Sequence, residues 1–214
     1  TYDGNVIFKR GESFEVKKMD PFIDSYLSEF FSIFKESAIL EYKEGYIDLY
    51  NQLIDELLGR KTGCAGGMGG SASIHSHEKN IFGHDGLMGS QVPIAVGHAY
   101  ETRKPTIVVM GDASAEEDYV LGALGWASTK NLPILFIVED NNLSILTEKK
   151  MRRNWEMDDV AKAFKMKAAN ISDDPLIIKT HLENYNFEGP MLLNINTNRK
   201  YWHSGAGQDG DNFD

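Results

Sequence analysis

The order of elements legible in this 214-residue chain predicts an α/β fold: a doubly wound, mainly parallel sheet with helices on both faces. Three observations predict it. Apolar strands are expected at 106–110, 134–138 and 191–195. Between the first two, Tyr119, Val120, Ala123, Leu124 and Ala127 recur with helical period. The connections are long enough for helical crossovers, which return the chain parallel to itself and leave successive strand ends at one edge of the sheet. A chain that is 42% hydrophobic and 11% aromatic can bury a substantial core behind such a sheet.

Taken in order, short apolar runs at 6–8 and 14–16 flank Lys9-Arg10-Gly11-Glu12 and predict a hairpin, an N-terminal extension over 1–19. Asp20-Pro21 then supplies a cap and first position for a long helix. On that helix Phe22, Ile23, Tyr26, Leu27, Phe30, Phe31 and Phe34 form a broad apolar face, suited to the core or to a second subunit. A further helix over 47–58 ends at Gly59. Ser114, with Glu117 three residues on, forms a capping box that opens the helix between the first two strands. Later come a short helix near 158–164, a helix opened by Asp174-Pro175, and the last strand. The main domain is expected over 20–204, with a mobile Gly-, Asp- and Asn-rich tail over 205–214.

A net charge of −10 argues against nucleic acid or an anionic membrane as partner, because both need clustered Lys and Arg. The locally basic run Lys149-Lys150-Met151-Arg152-Arg153 reads as a solvated loop. With Cys64 as the single cysteine no internal disulfide can form, and the thiol is expected to be inert. Neither a signal peptide nor an apolar run of membrane-spanning length is visible, so a cytoplasmic location is expected.

Chemistry concentrates at the strand ends. Asp112, in Gly111-Asp112-Ala113, follows the first strand, and Asn141, in Glu139-Asp140-Asn141-Asn142, follows the second, one crossover further on. Hard oxygen ligands beside a helix start suit Mg²⁺ held jointly with a diphosphate, with the backbone amides of Ala113 and Ser114 facing the phosphate. The competing reading is an ordinary β-α-β unit with a turn Asp and a turn Asn.

A second segment favours the ligand site. Gly66-Gly67-Met68-Gly69-Gly70-Ser71, His75, and the run from Gly83-His84-Asp85-Gly86-Leu87-Met88-Gly89-Ser90 to Gln91-Val92-Pro93 resemble the alpha subunits of the thiamine-diphosphate-dependent first component of 2-oxo acid dehydrogenase complexes. Leu57-Leu58-Gly59-Arg60-Lys61-Thr62-Gly63-Cys64 is similar to a helix end of that family, and Thr197-Asn198-Arg199-Lys200-Tyr201-Trp202-His203-Ser204 to its Tyr-Arg-x-x-x-His-Ser loop.

The resemblance implies a thiamine-diphosphate-binding fold and a role for each matched residue. Asp112, the side chain of Asn141 and the carbonyl of Leu143 would bind Mg²⁺. Gly111, Ala113 and Ser114 would meet the diphosphate, while Gly86 and Met88 would receive the aminopyrimidine ring, Met88 as the wedge under a bent cofactor. His203 matches the active-site loop histidine and His75 another loop histidine, two residues being inserted after Ser71. Partners implied are a beta-type subunit supplying the Glu that activates the aminopyrimidine, a lipoyl-bearing acyltransferase, and a 2-oxo acid substrate. The assembly would be a hetero-oligomer of heterotetramer type, and this chain alone would be inactive.

Two departures from the family pattern stand out. Where relatives carry an Arg-x-His-Gly turn that grips the diphosphate, the best match here leaves Lys35, a point charge without a bidentate fork. Glu116, Glu117 and Asp118 follow the Asp112 turn and would repel a diphosphate. Alternatives are the cofactor-binding half of a split transketolase, or a silent assembly or regulatory subunit that keeps the fold. A zinc hydrolase built on His75, His77 and His84 is disfavoured by the absence of a carboxylate base at fixed helical spacing and by the Gly-rich flanks.

Overall fold

A computed structural model describes residues 51–69, 75–76, 80–83, 86–199 and 203, which belong to two compact units, 1–86 and 87–214, each taken by itself. The expected hairpin, the Phe-rich helix, Lys35, His77, His84 and the tail lie outside the described residues.

In the first unit residues 51–57 are helical (α1), and the chain turns out at Gly59 in the left-handed region, as expected of a helix end. From α1 the carboxylate of Glu56, 1% exposed, reaches into the Gly-rich loop. It accepts from the backbone N–H groups of Ala65 at 2.7 Å, Gly67 at 2.9 Å and Gly69 at 2.6 Å. The amides of this loop close around the protein's own anion.

The second unit holds α2 (Gln91–Thr102), β1 (Thr106–Gly111), α3 (Asp118–Thr129) and β2 (Ile134–Asp140). A small hairpin follows, β3 (Leu143–Ser144) with β4 (Thr147–Glu148), and leads into the one-turn helix α4 (Lys149–Arg152). After it come α5 (Met157–Ala163), β5 (Lys167–Ser172), α6 (Pro175–Glu183) and β6 (Met191–Asn196). The main sheet has the order β1-β2-β6-β5 with every pairing parallel. Side chains alternate across it. Val108, Met110, Ile134, Phe136, Val138 and Leu192 face one continuous core closed by α2, α3 and α5. Leu135, Ile137, Leu193 and Ile195 are buried outside that cluster, and α6 packs against β5 with its own Leu182 buried. The phenol of buried Tyr185, just past α6, donates to the carbonyls of Ile134 at 2.9 Å and Gly189 at 2.6 Å.

The three expected strands and the crossover helix are present, and Asp174 caps α6 by accepting from the Leu176 N–H at 2.8 Å. Strand β5 is an addition. As an edge strand it reads Lys-Ala-Ala-Asn-Ile-Ser, with Ile171 its one buried residue, too polar to register as an apolar run. The capping box needs correction. Ser114–Glu116 form a separate 3-10 turn, and α3 starts at Asp118 after an extended Glu117 without a side-chain cap. Among the described residues no helix is long and apolar enough to cross a membrane.

Candidate functional site

The parallel register pairs Gly111 with Glu139, and the N–H of Asp112 donates to the Glu139 carbonyl at 3.2 Å. Asp112 and Asn141 consequently leave the carboxyl ends of adjacent strands at one edge, the arrangement that the crossover demanded. Gly111 ends β1 and keeps open space where a side chain would start. Ala113 and Ser114 begin the 3-10 turn, so their amides precede its first internal bond.

Beyond β2 the chain is folded by its own carboxylate and carboxamide. Asp140 is 4% exposed and accepts from the Asn142 N–H at 3.0 Å, Lys149 Nζ at 2.8 Å and Asn194 Nδ2 at 3.2 Å. The Asn141 side chain accepts from the Leu143 N–H at 2.9 Å, and Asn142 takes a left-handed φ of 65°. Burial would raise the Asp140 pKa, but the Lys149 ammonium and the two amide donors outweigh it and hold the carboxyl below its ordinary range. Lys149 also binds Glu156 at 2.8 Å, and its own pKa is raised because these partners outweigh its burial. The exit from β6 is tied here too. Thr197 N–H donates to the Asp140 carbonyl at 2.9 Å and Arg199 to the Ile145 carbonyl.

The basic run 149–153 is only partly solvated: Lys150 and Met151 are exposed, while Lys149, Arg152 and Arg153 turn inward. Arg152 Nη2 donates to Asp112 Oδ2 and its Nη1 to Glu116 Oε1. Arg153, its side chain 1% exposed, donates through Nη1 to the Asp112 carbonyl and to Glu116 Oε1, both at 3.0 Å, and lies 4.9 Å from the Trp155 ring centre. Of the three acids expected to repel a diphosphate, Glu116 is neutralised by two guanidinium groups.

Met88, 47% exposed, is placed beside this turn by Gly89. Gly89 has φ +78°, and a side chain there would start 2.9 Å from the Ser114 carbonyl and 2.8 Å from Val120 Cγ2. The Tyr119 phenol also donates to the Met88 carbonyl. His203 is exposed, with its immediate neighbours outside the described residues. His75, half-buried beside the Ser76–Ile81 bridge, and exposed Gly86 belong to the first unit, and Lys35 is not among the described residues. Among the described residues no group of three His, Cys, Asp or Glu is placed to hold a metal.

Sequence reasoning missed Arg152, Arg153, Asp140, Lys149 and Glu56. The basic run was a visible signal for the first two, since five residues with four cations followed a hairpin directly after Asn141. Nothing local marked Glu56.

Comparison with known proteins supplies the family. A match to the family described as Dehydrogenase E1 component covers residues 28–211. The chain belongs to the dehydrogenase E1 component family. Among E1 relatives, the Arabidopsis thaliana mitochondrial pyruvate dehydrogenase E1 component subunit alpha-2 is 24% identical over 95% of this chain and 51% of its own length. The Sminthopsis macroura mitochondrial E1 subunit alpha is 31% identical over 72% of this chain and 44% of its own. The Rickettsia prowazekii E1 subunit alpha is 35% identical over 44% and 31%. The chain spans about half the length of the first of these relatives. A solved Mycobacterium smegmatis structure, described as a candidate thiamin diphosphate-dependent enzyme, aligns over 53% of this chain and 23% of its own, at 24% identity and a TM-score of 0.46.

Proposed function

We propose that the chain is an alpha-type part of a thiamine-diphosphate-dependent enzyme that decarboxylates a 2-oxo acid and passes on the acyl or aldehyde unit with a beta-type partner. The observation that carries the reading is the emergence of Asp112 and Asn141 side by side from adjacent parallel strands. E1 alpha relatives support the substrate class and the hetero-oligomer. A lipoyl-bearing acyltransferase is the acceptor that fits the family, and a reducing, cytoplasmic compartment fits a chain with a single cysteine.

The donor set suits a hard divalent cation bridging to a diphosphate. Asp112, the Asn141 carboxamide and the Leu143 carbonyl would hold Mg²⁺, and the Ala113 and Ser114 amides beside Gly111 would receive the diphosphate. A cation there would compete with Arg152 for the Asp112 carboxylate. Gly86 and Met88 would position the ring end, and His203 and His75 would bind or move protons near the reacting carbon. Bound thiamine diphosphate supplies the carbanion chemistry that a protein side chain lacks. The chain's residues hold and orient it, and the beta-type partner would donate the activating Glu.

A second reading, a silent subunit that keeps the fold, is favoured by the capture of Asp112 by Arg152. Calorimetry with Mg²⁺ and thiamine diphosphate, with and without a beta-type partner, separates the two. Saturable uptake lost in Asp112→Ala supports the enzyme, and no uptake in either mixture supports the silent subunit.

A further inference from the structure

We infer that Arg152 is a diphosphate-gripping residue, which exchanges Asp112 for a phosphoryl oxygen when a metal-bound diphosphate arrives. The inference rests on the function proposed above and assigns to α4 the bidentate grip that Lys35 cannot give.

Three observations carry it. Arg152 already reaches the site, spanning Asp112 Oδ2 and Glu116 Oε1 with its two terminal nitrogens. Its Nε, together with Nε and Nη2 of Arg153, is buried without a hydrogen-bond acceptor among the described residues. A guanidinium has five N–H donors, and leaving them unpaired in the interior is costly, so paired arginines of this kind call for an oxygen-rich anion. Finally, Arg153 has contacts beyond the Glu116 Oε1 that it shares with Arg152. It holds the Asp112 carbonyl and Glu116, stacks near Trp155, and lies 3.9 Å from Asp140 Oδ2.

The exchange follows from charge. Asp112, 2% exposed, needs a cation, and Arg152 provides one. A divalent cation on the Asp112 carboxylate would meet that need and repel the neighbouring guanidinium, which weakens the Arg152–Asp112 bond. Arg152 is then a desolvated cation next to its former partner, while Arg153 still neutralises Glu116. A diphosphate on the metal would offer pairs of terminal oxygens that a planar guanidinium fork takes bidentately. A monophosphate or a carboxylate offers fewer oxygens for the metal and the fork together.

Calorimetry on the full chain tests this with Mg²⁺ alone, Mg²⁺ plus inorganic pyrophosphate, and Mg²⁺ plus thiamine diphosphate. Against wild type, Arg152→Ala is expected to weaken uptake of both diphosphates roughly tenfold or more. Arg152→Lys should fall between them, keeping the charge but not the fork, and Mg²⁺ alone should bind Arg152→Ala more tightly because its competitor is gone. Circular dichroism checks the fold, and if the Ala variant does not fold, the Lys variant gives the same comparison. Diphosphate uptake by Arg152→Ala or Arg152→Lys as tight as wild type would overturn the inference and leave the proposed function standing. A wild-type chain that takes up neither diphosphate, with or without a beta-type partner, sinks both.

Discussion

The Nη2 of Arg152 and the Oδ2 of Asp112 are hydrogen-bonded across the turn that follows β1, with the Arg152 side chain 14% and the Asp112 side chain 2% exposed. A largely buried ion pair of this kind is costly to halve, because the remaining charge keeps its desolvation penalty. Asp112→Ala is therefore expected to lower unfolding free energy by about 3 kcal/mol. Adding Arg152→Ala should recover part of the loss. Urea denaturation of the two single variants and the double variant checks this, and strictly additive losses would show that the pair is not coupled.

Glu56 is an acceptor for three backbone amides. Glu56→Gln keeps the shape but presents an amide nitrogen to three N–H donors, so at least one of the Ala65, Gly67 and Gly69 amides loses its acceptor. A destabilisation of about 2 kcal/mol is expected. Hydrogen exchange should report it as faster exchange at those three amides.

Gly89 allows the chain before α2 to approach the turn at Ser114. Gly89→Ala combines a left-handed φ with a Cβ placed 2.8 Å from Val120 Cγ2, and should cost about 2 kcal/mol or more. The loop would have to retreat, taking Met88 with it. If Met88 lies under the cofactor ring, thiamine diphosphate uptake should weaken more in Gly89→Ala than pyrophosphate uptake does, which parallel titrations would reveal.

The Asp140–Lys149 pair sets both ends of a stability plateau. The folded pKa of Asp140 lies below its ordinary 3.8, so its contribution is complete above that value and disappears as pH falls through the depressed one. The folded pKa of Lys149 lies above its ordinary 10.5, so its contribution is complete below that value and is lost as pH rises through the elevated one. Thermal midpoints across acid and alkaline pH should show both shoulders in wild type, and Asp140→Asn should flatten the acid one. An unchanged acid shoulder would remove Asp140 as its source.

Legibility in the sequence followed physical range. The strands at 134–138 and 191–195 were readable because burial on both faces makes them continuous apolar runs, and 106–110 was readable as an apolar run although Ile107 and Val109 are exposed. Asp112 and Asn141 could be paired because one crossover fixes which sheet edge both share. Strand β5 was hidden because an edge strand needs little apolar surface. The fate of Arg152 and Arg153 was hidden for a different reason. Whether a basic run meets water or buried carboxylates depends on the path of the β3–β4 hairpin, which no local spacing determines. The same holds for Glu56, a helical carboxylate whose partners are main-chain amides in a loop of glycines.

Because Glu56 fills the concavity of that loop from within, the segment needs no guest to take shape. The loop is then set before any ligand binds, and protease digestion should spare the 63–69 segment to the same extent with and without added thiamine diphosphate.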